Sequence, residues 1–258
     1  MKYIAILLLT LVTAACATSP TGRSQLLLVS ASEMDKMGAA AFAEMKKNTE
    51  IEKTVATNQY VDCVANAVTA VLPEHQQRNW EVVVFKDDSA NAFALPGNKI
   101  GVYTGILSVA NDQNQLAAII GHEVGHVLAQ HGNERMSIEY ASQTGQQLLG
   151  AVLEGSKEVM AVLGAGSQYG LQLPYSRAHE TEADLMGLKL MATAGFDPRA
   201  SVTLWHNMAA NSDGAPPEIM STHPSNQSRI KGLEANMAVA VDLYARARQQ
   251  GKTPRCTP

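Results

Sequence analysis

The sequence predicts a mainly helical α+β fold, with a small antiparallel sheet packed beside one buried helix. The helix is indicated by the stretch from Asp112 to His131, which is rich in helix-compatible apolar residues and contains no proline. The sheet is indicated by two β-branched and aromatic runs, residues 80–85 and 100–104. With 258 residues, 46% of them hydrophobic and 17% charged, the chain can bury the core that such a fold needs.

The N-terminus is typical of an export signal. Lys2 supplies a positive charge, the apolar run from Ile4 to Val12 follows, and three small residues precede Cys16. The run is too short to span a bilayer. A cysteine directly after such a signal resembles a bacterial lipobox, which predicts cleavage before Cys16 and acylation of that residue. Because Thr13 stands where a lipobox usually has leucine, ordinary cleavage after Ala15 is the alternative.

The signal sets the expected domain organisation. We expect residues 1–15 to be a lipoprotein signal peptide, residues 16–29 a lipid-anchored tether and residues 30–258 one folded domain. Ala17 after the cysteine resembles a signal for outer-membrane sorting, so the expected location is the periplasmic face of the outer membrane. A soluble periplasmic protein is the alternative. A net charge of −4 without a dense Lys/Arg run excludes nucleic acid as an expected partner.

Two helices are expected before the sheet. Ser30 and Glu33 have the spacing of a capping box, and a methionine stripe at helical spacing follows. A second helix is expected from Val55 to Leu72, and it carries Cys63. In an oxidising export compartment, two cysteines far apart in a chain more often form a disulfide than remain thiols. We therefore predict a disulfide between Cys63 and Cys256.

The segment between the two predicted strands has a composition suited to the edge of a sheet. It reads Asn91-Ala92-Phe93-Ala94-Leu95 and is followed by a Pro-Gly turn signal. Because proline is tolerated at an edge, this segment could be an exposed edge strand able to pair with an extended peptide. An ordinary surface hairpin fits the sequence equally well.

His122 and His126 predict a metal site on the buried helix. Residues four apart lie on one face of a helix, so the two imidazoles can point at a single ion. Glu123 points to the flank of that ion, as in a hydrolytic zinc site, where an unligated carboxylate accepts a proton from the attacking water. Chance placement is the alternative, but a buried helix has little use for three uncompensated ionisable groups. We predict one catalytic Zn²⁺.

The third ligand is expected further along the chain. His131 lies five residues after His126 and is rotated off the ligand face. Glu180 and Asp184 are four apart on an expected helix, so Glu180 can reach the metal while Asp184 bonds the outer nitrogen of a ligating histidine. Glu182 would face away. The alternative is a solvated acidic face, and the need for a third ligand favours the metal site.

We predict no catalytic or metal-binding role for three further histidines or for the segment before this acidic motif. We expect His75, His179 and His206 to be surface or core residues. The segment from Gly132 to Tyr175, rich in Gly, Ala, Ser and Gln, is either a mobile cover over the site or a helical hairpin.

Four motifs together resemble metallopeptidase family forty-eight, the group containing the HtpX, Oma and CAAX prenyl proteases. The resemblance covers roughly residues 30–234 and implies a zincin-like, gluzincin-type metalloprotease domain. No transmembrane helix is expected, so the chain resembles the soluble periplasmic and lipoprotein branch rather than the membrane-embedded members. That branch looks like zinc endopeptidases of envelope protein quality control. The four motifs are His122–His126, Ser176–Asp184, Thr222–Ser225 and Asn91–Gly97.

The resemblance implies roles for individual residues. Glu180 is similar to the third metal ligand of the family, and Asp184 to the aspartate that supports a ligating histidine. The segment from Asn91 to Leu95 is similar to the edge against which substrate lies. Without the resemblance, a histidine in a polar loop such as His223 is more often a surface residue. With it, we expect His223 to face the zinc, either as an inhibitory fourth ligand or as a stabiliser of the oxyanion.

Two functions from different classes fit these residues. The first is a zinc-dependent endopeptidase that cleaves unfolded or misassembled envelope polypeptides, with Glu123 as general base. The second is a lipid-anchored periplasmic chaperone or assembly factor with a structural zinc. A structural site has no need of a general base, so Glu123 favours the endopeptidase.

Overall fold

The structure is a computed structural model, which describes residues 16–77, 79–152, 176–210, 219, 221, 223 and 227–257. The expected signal peptide and residues 153–175 of the expected cover lie outside these ranges. The helices are α1 (Ala31–Asn48), α2 (Val55–Thr69), α3 (Glu74–Gln77), α4 (Gln113–Leu128), α5 (His131–Val152), α6 (Arg177–Ala194), α7 (Ala200–Ala210) and α8 (Gln227–Gln249). The strands are β1 (Cys16–Thr18), β2 (Ser24–Leu26), β3 (Glu81–Phe85), β4 (Ala92–Leu95) and β5 (Lys99–Tyr103). A 3₁₀ turn covers Thr104–Ser108.

The described part of the chain is mainly helical, as the sequence predicts, and it contains two small sheets where one was predicted. The larger sheet has the strand order β3-β5-β4. β4 pairs antiparallel with β5, in line with the prediction, but β3 and β5 run parallel. The sheet is therefore mixed rather than purely antiparallel. The chain from β3 passes through the edge strand β4 before it returns to the centre as β5, and this path leaves the two outer strands running in opposite directions.

Residues 16–29, expected as a tether, contain a docked hairpin. β1 and β2 pair antiparallel, and Ser19 and Gln25 are buried. The side chain of Gln25 donates to the backbone oxygen of Ala129 at 2.6 Å. Just beyond β2, the backbone N–H of Leu28 donates to the hydroxyl of Ser137 at 2.8 Å. These contacts fix the hairpin against the beginning of α5, so this part of the segment is not a free linker.

The core lies between the larger sheet and the helices α2, α4, α6 and α7. α4 is central, and it is buried almost throughout from Gln115 to His126. Its N-terminus is capped by Asp112, whose carboxylate accepts from the N–H groups of Asn114 and Gln115 at 2.9 and 2.8 Å. Among the described residues, no helix is long and apolar enough to cross a membrane.

Cys63 on α2 and Cys256 in the C-terminal segment form the predicted disulfide. The backbone N–H of Cys256 also donates to the side chain of Gln113 at 2.8 Å, at the beginning of α4. The bridge therefore holds the end of the chain against the central helix.

Loss of the disulfide is expected to lower the free energy of unfolding. The bridge joins residues 193 positions apart, so its removal should cost on the order of 3–5 kcal/mol through the gain in freedom of the unfolded chain. Guanidinium denaturation of a Cys63→Ser/Cys256→Ser variant measures this loss. Reductant should lower the midpoint of the wild type and leave that of the variant unchanged. Two free thiols in unreduced, denatured wild type would contradict the bridge.

Candidate metal centre

His122 and His126 face a common point from α4. Their Nε2 atoms lie 3.0 Å apart, and both rings are buried. The sequence predicts that this helix extends to His131, but α4 ends at Leu128. Gln130 adopts a positive φ of 54°, which turns the chain so that His131 begins α5. The turn sends His131 back towards α4 instead of onward along its axis.

The acidic motif lies on α6, as predicted. Ser176 caps this helix by accepting from the N–H of His179 at 3.2 Å. Glu180 is almost completely buried, and its two carboxylate oxygens lie 3.5 Å from the Nε2 atoms of His122 and His126. The sequence-predicted third donor is therefore beside the two imidazoles.

Glycines allow α4 and α6 to approach this closely. A Cβ atom placed on Gly187 of α6 would lie 2.7 Å from the backbone nitrogen of His122. One placed on Gly121 of α4 would lie 3.0 Å from the carbonyl oxygen of Gly187. Real Cβ atoms essentially never come within 3.0 Å of another heavy atom, so a side chain at Gly187 would push the helices apart. The distance between the helices decides whether Glu180 reaches the histidines.

His223 completes the cluster. Its Nδ1 lies 3.0 Å from Oε1 of Glu180 and 3.3 Å from Nε2 of His122, and its Nε2 lies 3.6 Å from Oε1 of Glu123. One donor atom from each of His122, His126, Glu180 and His223 lies within 4.8 Å of all the others. Three nitrogens and one oxygen at these separations can hold a single metal ion, and imidazole with carboxylate is a donor set that zinc favours.

Glu123 is the unligated carboxylate beside these donors. Its side chain is buried, and its Oε1 has no hydrogen-bond partner among the described residues. Burial raises the pKa of this carboxyl above its usual range. A buried carboxylate oxygen without a partner is costly unless a ligand or water satisfies it, so Glu123 fits a group that acts on a bound molecule. This second observation supports the fit of a metal ion with its attacking water.

A buried arginine, Arg229, forms ion pairs with two carboxylates beside the candidate metal ligands. Asp184 accepts two hydrogen bonds from Arg229 at 2.7 and 2.6 Å and contacts Nδ1 of His122 at 3.0 Å. Arg229 also pairs with Glu180 at 2.7 Å and stacks on the ring of Trp205 at 4.0 Å. Burial opposes ionisation of Asp184, but the hydrogen bonds and charge of Arg229 lower its pKa. The two carboxylates therefore stay ionised.

Arg229 was missed by the sequence analysis. Its only local signal is a cation four residues after Ser225, on a helix otherwise rich in charged residues. Nothing in that pattern distinguishes a buried arginine from a solvated one.

His126 has an outer partner that sequence reasoning had set aside. Nδ1 of His131 lies 2.9 Å from Nδ1 of His126, and Nε2 of His131 lies 3.2 Å from Oε2 of Glu182. Burial lowers the pKa of His131 to about 4, so the ring is neutral near pH 7. His131 and Glu182 are not among the four converging donors, as expected, but both are buried, and His131 joins Glu182 to His126. His179 is also buried and contacts Glu134 at 3.0 Å.

The segment from Asn91 to Leu95 lies at the edge of the larger sheet. β4 has one sheet neighbour, β5, and packs against α4. A cleft of about 660 Å³ runs between β4, α1 and the end of α4, and His126 lies in its wall. β4 is the outer strand of the sheet and also forms a hairpin with β5, so the fold contains both features that the sequence left open, and pairing of this edge with a peptide stays a prediction. His75 also lines this cleft, whereas His206 is exposed on α7.

Two imidazoles four apart on one helix, a carboxylate from a second helix and a free glutamate beside them define a metallopeptidase of the zincin type. The profile of Peptidase family M48 matches residues 55–237. The chain belongs to this family.

Several curated proteins are similar to the chain. The mitochondrial metalloendopeptidase OMA1 of Schizosaccharomyces pombe is 39% identical over 180 residues, which cover 69% of this chain and 52% of the relative. OMA1 of Arabidopsis thaliana is 34% identical over 229 residues, 86% of this chain and 45% of the relative. The beta-barrel assembly-enhancing protease of Yersinia pestis is 27% identical over 209 residues, 75% of this chain and 42% of the relative. The chain spans about half the length of the curated relatives it matches.

Proposed function

We propose that this chain is a zinc-dependent metalloendopeptidase of the bacterial cell envelope, which cleaves misfolded or misassembled envelope polypeptides. The observation that carries the proposal is the position of Glu123. It lies beside four converging metal donors, and its Oε1 has no hydrogen-bond partner among the described residues. A purely structural metal site would gain nothing from a buried carboxylate in this place.

The protein groups have distinct tasks in peptide hydrolysis. His122, His126 and Glu180 would hold a zinc ion, which supplies Lewis-acid polarisation of the scissile carbonyl and the attacking water. Glu123 accepts the proton of that water and returns it to the leaving amine. Burial raises the pKa of this carboxyl, and a carboxylate with a higher pKa is a stronger proton acceptor.

The cleft beside β4 supports an extended polypeptide as substrate. Its walls are largely apolar and include Met34, Met37 and Met136, whose flexible side chains adapt to many partners. The metal donors are themselves buried, so an extended, unfolded segment paired with the β4 edge would reach them more readily than the surface of a folded protein. Folded proteins present few segments of this kind. Substrates with unfolded or misassembled regions therefore fit the site best.

Two further observations support an envelope location. The Cys63–Cys256 disulfide fits an oxidising compartment. A relative covering three quarters of this chain is named as a beta-barrel assembly-enhancing protease. We include in the proposal a lipid anchor on Cys16 and a location at the periplasmic face of the outer membrane.

Palmitate labelling tests the anchor. Wild type expressed with labelled palmitate in a Gram-negative host should incorporate label, and Cys16→Ser should incorporate none, because serine lacks the thiol to which the lipid is attached. Ala17→Asp is the matched control, since it keeps the acylation site and is expected to change only the membrane in which the protein is found. Absence of label from wild type would refute the anchor.

Cleavage of one polypeptide in two states tests the function. Zinc-loaded protein should cleave an unfolded outer-membrane β-barrel polypeptide and casein, and should spare the same barrel once it is folded in detergent. Equal cleavage of both states would refute the selectivity for unfolded chains. Suppression of aggregation without cleavage, at equal strength in wild type and Glu123→Gln, would instead identify the chaperone with a structural zinc.

A further inference from the structure

The N-terminal hairpin reaches the centre of the enzyme through Arg23. This side chain forms a bidentate pair with Glu134, at 2.6 Å for each hydrogen bond, and its Nε donates to Oε2 of Glu182 at 3.1 Å. Thr21, in the same hairpin loop, donates its hydroxyl to Oε1 of Glu182 at 2.6 Å. Both carboxylates are buried, so the hairpin supplies the cation and the hydroxyl that they need.

Glu182 connects the hairpin to the metal donors through His131. Its Oε2 lies 3.2 Å from Nε2 of His131, and Nδ1 of His131 lies 2.9 Å from Nδ1 of His126. Nε2 of His126 is the atom that faces the other metal donors. A continuous series of contacts therefore joins Arg23, through the side chains of Glu182 and His131, to the back of the candidate metal ligand His126.

The direction of the hydrogen bonds in this series follows from the chemistry of its two ends. When Nε2 of His126 gives its lone pair to a metal, Nδ1 must carry the proton and donate to His131. Nδ1 of His131 then accepts, so its Nε2 carries a proton and donates to the carboxylate of Glu182. That carboxylate can only accept, and Arg23 and Thr21 hold it in place. Each group has one role, and the orientation of the His126 ring is fixed from outside.

The other imidazole, that of His122, is held by residues from a different part of the fold. His122 has Asp184 behind it, and Asp184 is held by Arg229. Both histidines thus have an outer partner and a carboxylate fixed by an arginine. For His122 all these groups belong to α4, α6 and α8, whereas for His126 the arginine comes from the hairpin before α1.

We propose that Arg23 is a positioning residue of the metal centre, which acts through Glu182 and His131 to orient His126, so that the centre is complete only when the N-terminal hairpin is docked. Residues 19–23 are in this case part of the active enzyme and not only a connection to the N-terminus. Undocking of the hairpin would weaken metal binding and turnover together. The catalytic readout rests on the proposed peptidase function, but the metal-binding readout does not.

The experiment compares Arg23→Met with Arg23→Lys and with the control Arg199→Met. Arg199 is an exposed arginine that pairs with Asp197, away from the metal donors. Zinc affinity is measured by competition with a chromophoric chelator, the ligand field by the absorption spectrum of the Co²⁺-substituted protein, and turnover by kcat and KM on a casein peptide. Thermal unfolding of the zinc-free protein reports any purely structural effect.

Arg23→Met is expected to lower zinc affinity by up to about 10-fold, the lower end of the effect of losing an outer partner of a metal ligand, because Arg23 acts on His126 through two intervening side chains. It should also change the Co²⁺ spectrum and lower kcat with little effect on KM. Arg23→Lys should recover part of the loss, and Arg199→Met should match wild type. His131→Phe should weaken zinc binding similarly, and the Arg23→Met/His131→Phe double variant should bind zinc no more weakly than His131→Phe alone, because the two residues act in series.

Thr21→Val provides the test if Arg23→Met does not fold. It removes only the hydroxyl that donates to Glu182, and a smaller fall in zinc affinity in the same direction is expected. Unchanged zinc affinity and Co²⁺ spectrum in a folded Arg23→Met or Thr21→Val variant would overturn the proposal, as would additive losses in the double variant. Wild type that binds zinc without cleaving casein would refute the peptidase function. The zinc affinities of the variants would still test the role of Arg23.

Discussion

Glu123→Gln is expected to abolish proteolysis while the protein keeps its metal. Glu123 is not one of the four converging donors, so its amide replacement should leave zinc content unchanged. The amide cannot accept the proton of the attacking water, and loss of a general base costs about 10²- to 10⁴-fold in rate. Zinc content by elemental analysis and cleavage of casein, measured on the same preparation, give the two readings.

Two comparisons make this result specific. His122→Ala and Glu180→Gln should lose zinc as well as activity, because each removes a metal donor. Glu44→Gln, on the exposed face of α1, should change neither reading. Full proteolysis by Glu123→Gln would refute the assigned mechanism.

His223→Ala is expected to raise basal proteolysis. Nδ1 of His223 lies 3.0 Å from Glu180 and 3.3 Å from His122, so it lies within the donor cluster. A fourth protein ligand occupies the position that the attacking water needs, and an alanine in its place frees that position. Initial rates of casein cleavage, normalised to bound zinc, measure the change.

The alternative role of His223 has the opposite outcome. If its imidazole stabilises the oxyanion, His223→Ala should keep zinc and lose about 10²- to 10³-fold in kcat, the usual cost of removing one such donor. His206→Ala, an exposed histidine on α7, is the control and should behave as wild type. Unchanged cleavage and unchanged zinc affinity in His223→Ala would exclude both roles.

The helical spacing in the sequence was sufficient to predict most of the metal donors. His122 and His126 are four apart on one helix, and Glu180 and Asp184 are four apart on another. Side chains at this spacing share a face whatever the rest of the chain does, because the geometry is set by the local backbone. The caps at Asp112, Ser30 and Ser176 are local in the same sense.

The direction of strand pairing could not be read from composition. Residues 81–85 and 99–103 are both good strands, and each would be equally compatible with parallel or antiparallel neighbours. Their parallel pairing follows from the insertion of β4 between them in the chain and from its position at the edge in space. The position of β4 at the edge of the sheet depends on which surfaces of the sheet the helices cover.

The amino-acid sequence alone was enough to predict the mainly helical class, the His122–His126 pair with Glu123, the acidic motif of α6 and the pairing of the two cysteines. Tertiary structure alone decided that Arg229 is buried, that Arg23 reaches the buried carboxylate of Glu182, and that Glu182 and His131, set aside as metal ligands on helical phase, lie in series behind His126. Helical phase states which side chains share a face but not what covers the opposite face. That depends on the close approach of α4 and α6 and on the docking of the N-terminal hairpin. These are contacts between residues far apart in the chain, which no local pattern contains.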